Sequence, residues 1–203
     1  MRGVRVACVG DSITRGTFVL RRRTNAYPAQ LQTMLGDGFC VHNFGVNAHA
    51  AQRAADFPYW GSEAFVASTE FRPEIVLIML GTNDSRGGNW RGVDAFRADY
   101  RDLALHYRHL ASNPAVWLMT PPTLFRLGRS TKVRYGMDDD ALREICGVVE
   151  SIAAGIECGL IDVNAATANH PEAFRFDGVH PGGAGATLIA REVFEALAEG
   201  GVL

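Results

Sequence analysis

Ile75-Val76-Leu77-Ile78-Met79-Leu80, followed at once by Gly81-Thr82-Asn83-Asp84, is the stretch on which the fold turns. The near-continuous apolarity of the six residues is what a central strand covered on both faces requires. Val4–Val9 is similar apart from Arg5, and it runs into Gly10-Asp11-Ser12. Phe39–Phe44, Ala115–Met119 and Leu160–Val163 read as three further strands. Between them lie segments of helical period. Phe96, Tyr100, Leu103, Tyr107 and Leu110 recur at steps of three or four between about Val93 and Ala111. Leu142, Ile145, Val149 and Ile152 form a second stripe, Ile189, Val193 and Leu197 a third, and Tyr27–Leu35 a shorter helix that Gly36 stops. Strands alternating with helices predict an α/β fold. It is a three-layer α/β/α sandwich with a five-stranded parallel sheet, in a single domain, 1–203.

Outside these elements, Thr14–Asn25, Val46–Gly61, Ser85–Gly92 and Thr120–Met137 show no period. Loops of that length in a small domain are more often functional than idle, and 86–92 and 120–136 are candidates for a lid. Of the 203 residues, 47% are hydrophobic and 21% charged, ordinary values for a globular chain, and the net charge of -2 lacks the basic field that nucleic-acid or anionic-membrane binding needs. The expected partner is a small molecule. No apolar run approaches the roughly 18 residues of a membrane span, and Met1-Arg2-Gly3-Val4-Arg5 enters a strand directly, so a cytoplasmic chain is expected. Cys8, Cys40, Cys146 and Cys158 show no CxxC pairing and read as small buried residues rather than a zinc site or disulfide framework.

In open parallel sheets the ligand crevice lies at the carboxyl ends of the strands. The polar segments found there are Gly10-Asp11-Ser12, Asn43-Phe44-Gly45-Val46-Asn47 and Gly81-Thr82-Asn83-Asp84, with Asp177-Gly178-Val179-His180-Pro181 before the last helix. Together they supply the parts of acyl transfer: a serine hydroxyl, a histidine to take its proton, an aspartate to orient the imidazole and donors for an oxyanion. Asp177 and His180 are three residues apart in a turn, so the carboxylate can reach Nδ1 and leave Nε2 for Ser12. The backbone N–H groups of Ser12 and Gly45 and the side-chain amide of Asn83 are the natural oxyanion donors.

These four segments resemble, in order and over nearly the whole chain, the blocks of the SGNH hydrolase superfamily, also called GDSL esterases/lipases, with Ile13 in place of the usual Leu. The resemblance implies a flavodoxin-like fold, with Ser12 as nucleophile, His180 as general base and acid, and Asp177 as orienting acid. It implies an oxyanion hole of Ser12, Gly45 and Asn83, and neither metal nor cofactor. The absence of Gly-x-Ser-x-Gly around Ser12 separates the chain from α/β-hydrolases.

Tyr27-Pro28-Ala29-Gln30-Leu31, Tyr59-Trp60 and Gly81-Thr82-Asn83-Asp84-Ser85 followed by Asn89-Trp90 are similar to bacterial carbohydrate O-acetylesterases. That similarity implies a serine esterase acting on short acyl, chiefly acetyl, esters of a carbohydrate, with Trp60 and Trp90 as candidate sugar contacts. The alternatives are a lipid-directed acylhydrolase (lysophospholipase or thioesterase), which needs an apolar trough, and a non-catalytic carbohydrate-binding relative. Other polar clusters read as structural. Asp84 serves a turn, and Asp11 orients the nucleophile loop. His106 and His109 with Asp102 form a surface face, Arg21-Arg22-Arg23 are solvated, and Asp138-Asp139-Asp140 open a helix.

Overall fold

The computed structural model describes residues 3–126, 128 and 132–203. Five strands, β1 (Val4–Gly10), β2 (Phe39–Gly45), β3 (Ile75–Met79), β4 (Ala115–Met119) and β5 (Gly159–Ile161), form one sheet in the order 2-1-3-4-5. Every pairing is parallel, with Val6 opposite Val41 on one side and Ile75 on the other. This is the flavodoxin-like order, in which the chain leaves β1 in one direction and returns on its other side, opening a crevice at the carboxyl ends of β1 and β3.

The run 75–80 shows why the sheet is central. Ile75, Leu77 and Met79 pack with Val6 and Cys8 against helices α3 (Tyr27–Leu35) and α8 (Gly183–Glu199) on one face. Val76, Ile78 and Leu80 pack with Ala7 and Val9 on the opposite face, against α5 (Val93–Arg108) and α6 (Asp139–Gly155). Side chains two apart share a face, so a strand buried on both sides must be apolar throughout. The two apolar clusters on either side of the sheet make the three layers.

Several boundaries differ from the sequence reading. Val163 is not the end of β5 but the first residue of a short helix, α7 (Val163–Thr167), because Asp162 caps it by accepting from Ala165 N at 3.1 Å. The unperiodic stretch 14–25 holds two single-turn helices, α1 (Ser12–Arg15) and α2 (Arg22–Asn25). A further helix, α4 (Glu63–Glu70), is started by Ser62, whose hydroxyl accepts from Phe65 N. Asp138 caps α6 through Asp140 N and Ala141 N, with Asp139 and Asp140 in the first turn. Among the described residues no helix is long and apolar enough to cross a membrane, and all four cysteines are free thiols.

Candidate active site

Ser12 follows β1 directly. Asp11 accepts from Ile13 N through Oδ1 at 2.8 Å, which starts α1 and turns the Ser12 hydroxyl out at the strand end. Gly10 and Gly45 are required by close approach. A Cβ on Gly10 would lie 2.1 Å from Thr14 Oγ1, and one on Gly45 would lie 2.2 Å from Arg15 N. The ends of β1 and β2 are therefore packed closely against the first helical turn.

His180 arrives on a tight turn between Phe174 and Pro181, held by Arg175 N donating to His180 O at 2.8 Å and Gly182 N donating to Ala173 O at 2.8 Å. Ser12 Oγ lies 2.8 Å from His180 Nε2, and His180 Nδ1 lies 2.7 Å from Asp177 Oδ2. The Asp177 carboxylate also accepts from Val179 N and His180 N, both at 3.0 Å, and from Tyr135 OH at 3.2 Å. Burial pushes its carboxyl up, but these N–H donors and the imidazole outweigh that and hold it below the ordinary carboxylate range. An ionised acceptor at Nδ1 places the ring proton there, leaving the Nε2 lone pair for the Ser12 hydroxyl proton.

The floor beside Ser12 is a network of buried polar groups. Asn83 Nδ2 donates to Asp11 Oδ2 at 3.2 Å and to His49 O at 3.0 Å. Asp84 accepts from Ala51 N and Gln52 N at 2.9 and 2.8 Å, pinning the loop after β2 to the end of β3. Asn89 Nδ2 donates to Asn83 O at 2.9 Å. Burial pushes Asp11 up to about 7 and Asp84 up to about 6, against the N–H groups that hold each.

A cavity of about 260 Å³ opens over Ser12 and His180. Ala48, Asn83, Phe18 and Tyr135 are among its lining residues, and Gly45, Trp60 and Trp90 are not. Gly45 N donates to Asn43 Oδ1 at 2.9 Å and is not free for a substrate. Ala48, three residues on, has a left-handed backbone (φ 64°), and among the described residues its N–H, like that of Ser12, has no acceptor. The sequence offered no sign of this, since the group concerned is backbone and the residue an ordinary alanine.

The two tryptophans serve the core instead. Trp60 donates from Nε1 to Ala51 O at 3.1 Å and lies under Arg53, 3.9 Å from the ring centre, while Trp90 packs on Phe96 at 6.0 Å. His106 binds Thr69 Oγ1 on α4, and Asp102, half exposed, pairs with Arg53. Among the described residues no group of three or more His, Cys, Asp or Glu could hold a metal ion. The two candidate lid segments meet beside the cavity, where Arg86 and Met137 form a bridge and Gly87 N donates to Gly136 O at 3.2 Å. Within 120–136, residues 127 and 129–131 lie outside the described residues.

A parallel 2-1-3-4-5 sheet carrying a Ser–His–Asp hydrogen-bond chain at its carboxyl edge defines a class of acyl-transfer enzymes, and residues 8–188 match the GDSL-like lipase/acylhydrolase family. The chain belongs to that family. Among individual proteins it is 33% identical over 212 aligned residues to an acetylxylan esterase of Xylanibacter ruminicola, covering 96% of this chain. The chain spans 43% of the length of that relative. A carbohydrate acetylesterase from Sinorhizobium meliloti shares the fold with a TM-score of 0.77 at 18% identity, over 97% of this chain and 99% of the other. An aryl esterase of M. smegmatis does so at 0.75 and 19%, over 97% and 99%.

Proposed function

We propose that the chain is a serine esterase hydrolysing short acyl esters, chiefly acetyl esters of a carbohydrate, through Ser12, His180 and Asp177. The observation that carries this reading is the unbroken chain Ser12 Oγ–His180 Nε2 (2.8 Å) and His180 Nδ1–Asp177 Oδ2 (2.7 Å) at the mouth of a small cavity. His180 Nε2 takes the Ser12 proton as Oγ bonds to the ester carbonyl carbon. The resulting oxyanion is bound by the N–H groups of Ser12 and Ala48 and by Asn83 Nδ2, which exchanges the His49 carbonyl for it. Collapse breaks the bond to the alcohol oxygen, which leaves with the proton from Nε2. Water then gives a proton to Nε2 and adds to the acyl carbon, and collapse of the second tetrahedral intermediate frees the acid and restores Ser12.

The cavity, about 260 Å³, is at the small end of ligand sites, which favours an acetyl group over a long chain. The resemblance to an acetylxylan esterase over 96% of the chain supports a carbohydrate as the acylated molecule. Rates on acetyl, butyryl and octanoyl p-nitrophenyl esters test the reading. The acetyl ester is expected to be fastest, and Ser12→Ala to lower kcat by about 10⁴-fold or more without loss of folding. A maximum at octanoyl would replace the acetylesterase by a lipid-directed enzyme. Full activity in Ser12→Ala would move the nucleophile elsewhere.

A further inference from the structure

Among the described residues, seven that are not glycine have positive φ, and three of the seven line the cavity over Ser12: Phe18 (63°), Ala48 (64°) and Tyr135 (61°). For bulky side chains this backbone is disfavoured and persists only where the surroundings impose it. They do so here. Thr17 N donates to Ser12 O at 2.9 Å and Thr17 Oγ1 to Asn47 Oδ1 at 2.7 Å, which fixes the approach to Phe18. Tyr135 is held between the Gly87–Gly136 backbone bond and its own hydroxyl on Asp177.

The two rings so placed face the same imidazole. Phe18 meets the His180 ring edge-on at 5.1 Å and 86°, Tyr135 at 6.1 Å and 77°. Both remain about half exposed, 46% and 49%, and Phe176, 64% exposed, extends the apolar surface at 5.6 Å from Phe18. Large aromatic faces left in water beside a reactive group are surface that a ligand can cover.

Position decides which part of an ester they meet. His180 must hand its proton to the departing oxygen, so the alcohol portion lies against the imidazole, while the carbonyl oxygen lies toward Ala48 and Asn83. Rings that flank His180 therefore touch the leaving group and not the acyl group. We propose that Phe18 and Tyr135 form a leaving-group clamp that selects alcohols presenting a ring with a flat apolar face, either an aryl ring or the C–H face of a pyranose. The clamp rests on the serine-esterase reading of the same cavity.

The test compares kcat/KM on three acetates: phenyl acetate, a monoacetylated methyl glucopyranoside, and ethyl acetate, which has no ring. Wild type, Phe18→Ala, Tyr135→Ala and Tyr135→Phe are measured, with Ser12→Ala as the control for the chemistry. The preference for a ring-bearing acetate over ethyl acetate is expected to fall about tenfold in each alanine variant, mainly through KM. In Tyr135→Phe, which keeps the ring, it should fall less than twofold. Because both rates come from the same folded molecules, the ratio holds even if a variant is partly unfolded. Loss in the phenyl arm alone assigns an aryl alcohol, loss in the pyranose arm alone a sugar, and loss in both a general flat-face clamp. Unchanged ratios in both alanine variants overturn the clamp. Hydrolysis that survives Ser12→Ala, or no hydrolysis of any acetate, overturns instead the esterase reading beneath it.

Discussion

The floor and the rim of the Ser12 cavity are built on opposite principles. The floor consists of Asp11, Asn83, Asp84 and Asn89, all buried, each side chain hydrogen-bonded to a neighbouring loop. The rim consists of Phe18 and Tyr135, each nearly half exposed, and the more exposed Phe176; Phe18 touches Phe176 and the imidazole, and Tyr135 the imidazole and, through its hydroxyl, Asp177. A buried polar group that loses its partner carries its full desolvation penalty, so the floor tolerates one geometry. An exposed ring carries no such penalty and can be exchanged. On the proposed reading, chemistry depends on the interlocked floor and choice of alcohol on the solvent-facing rim.

The largest effect that would break this contrast is expected from Asn83→Ala. It removes a neutral donor that the proposed mechanism assigns to the oxyanion and leaves Asp11 Oδ2 and the His49 carbonyl without their shared side-chain partner. Loss of one such donor costs about 10²–10³-fold in kcat, with KM little changed. A fall in KM-dependent terms alone would place Asn83 among the selecting residues rather than the floor.

An intermediate effect is expected from Asp11→Asn, read as stability against pH. With its carboxyl pushed up to about 7 in the folded chain and at an ordinary value when unfolded, Asp11 takes up a proton on folding between about pH 4 and 7. Its contribution is therefore most favourable at the acid end of that window, declines as pH rises through it, and is flat above. The slope is of order 1.4 kcal/mol per pH unit at most. Asp177 acts in the opposite sense and at lower pH, because its carboxyl is held down and its contribution is lost only as pH falls. Urea midpoints from pH 4.5 to 8 should show the wild-type decline and a flatter curve in Asp11→Asn. Part of what remains comes from Asp84, pushed up to about 6, and part from Glu192, which burial also pushes up. An unchanged slope would mean that Asp11 is ionised throughout.

The same contrast explains what was legible in the sequence. The floor announces itself because strand ends carry short polar words, and Gly10-Asp11-Ser12 and Gly81-Thr82-Asn83-Asp84 each follow an apolar run whose burial on both faces leaves no other reading. Asp177 and His180 are legible because three residues in a turn bring carboxylate and imidazole together whatever the rest does. The rim has no such grammar. Phe18 and Tyr135 lie in unperiodic loops, and their direction is set by left-handed backbone that residue type does not advertise. Trp60 and Trp90 are the rim candidates that loop placement and the resemblance to carbohydrate acetylesterases suggest, but loop aromatics near a helix also serve to cover it. Arg53 and Phe96 take them for that purpose. Helix α4 escaped because it is eight residues long and buries only Ser68 fully, so it carries no strong stripe.

Ala48 stands where floor meets rim, and it sharpens the comparison with the smallest expected effect. Its left-handed backbone costs an L-residue about 1–2 kcal/mol that glycine would not bear, while glycine loses about 0.5–1 kcal/mol more on ordering the chain. Ala48→Gly should therefore raise stability by about 0.5–1 kcal/mol, or about 1–4 °C in Tm for a chain of this size, readable by calorimetry. The side chain is only a methyl, so the gain isolates backbone strain from contact loss. A rise means that this loop holds its N–H toward the cavity against its own conformational preference, as Phe18 and Tyr135 hold their rings. A fall or no change means that the αL conformation at 48 is imposed without strain. The strain would then belong to the rim alone, separating the Ala48 N–H from the rings of Phe18 and Tyr135.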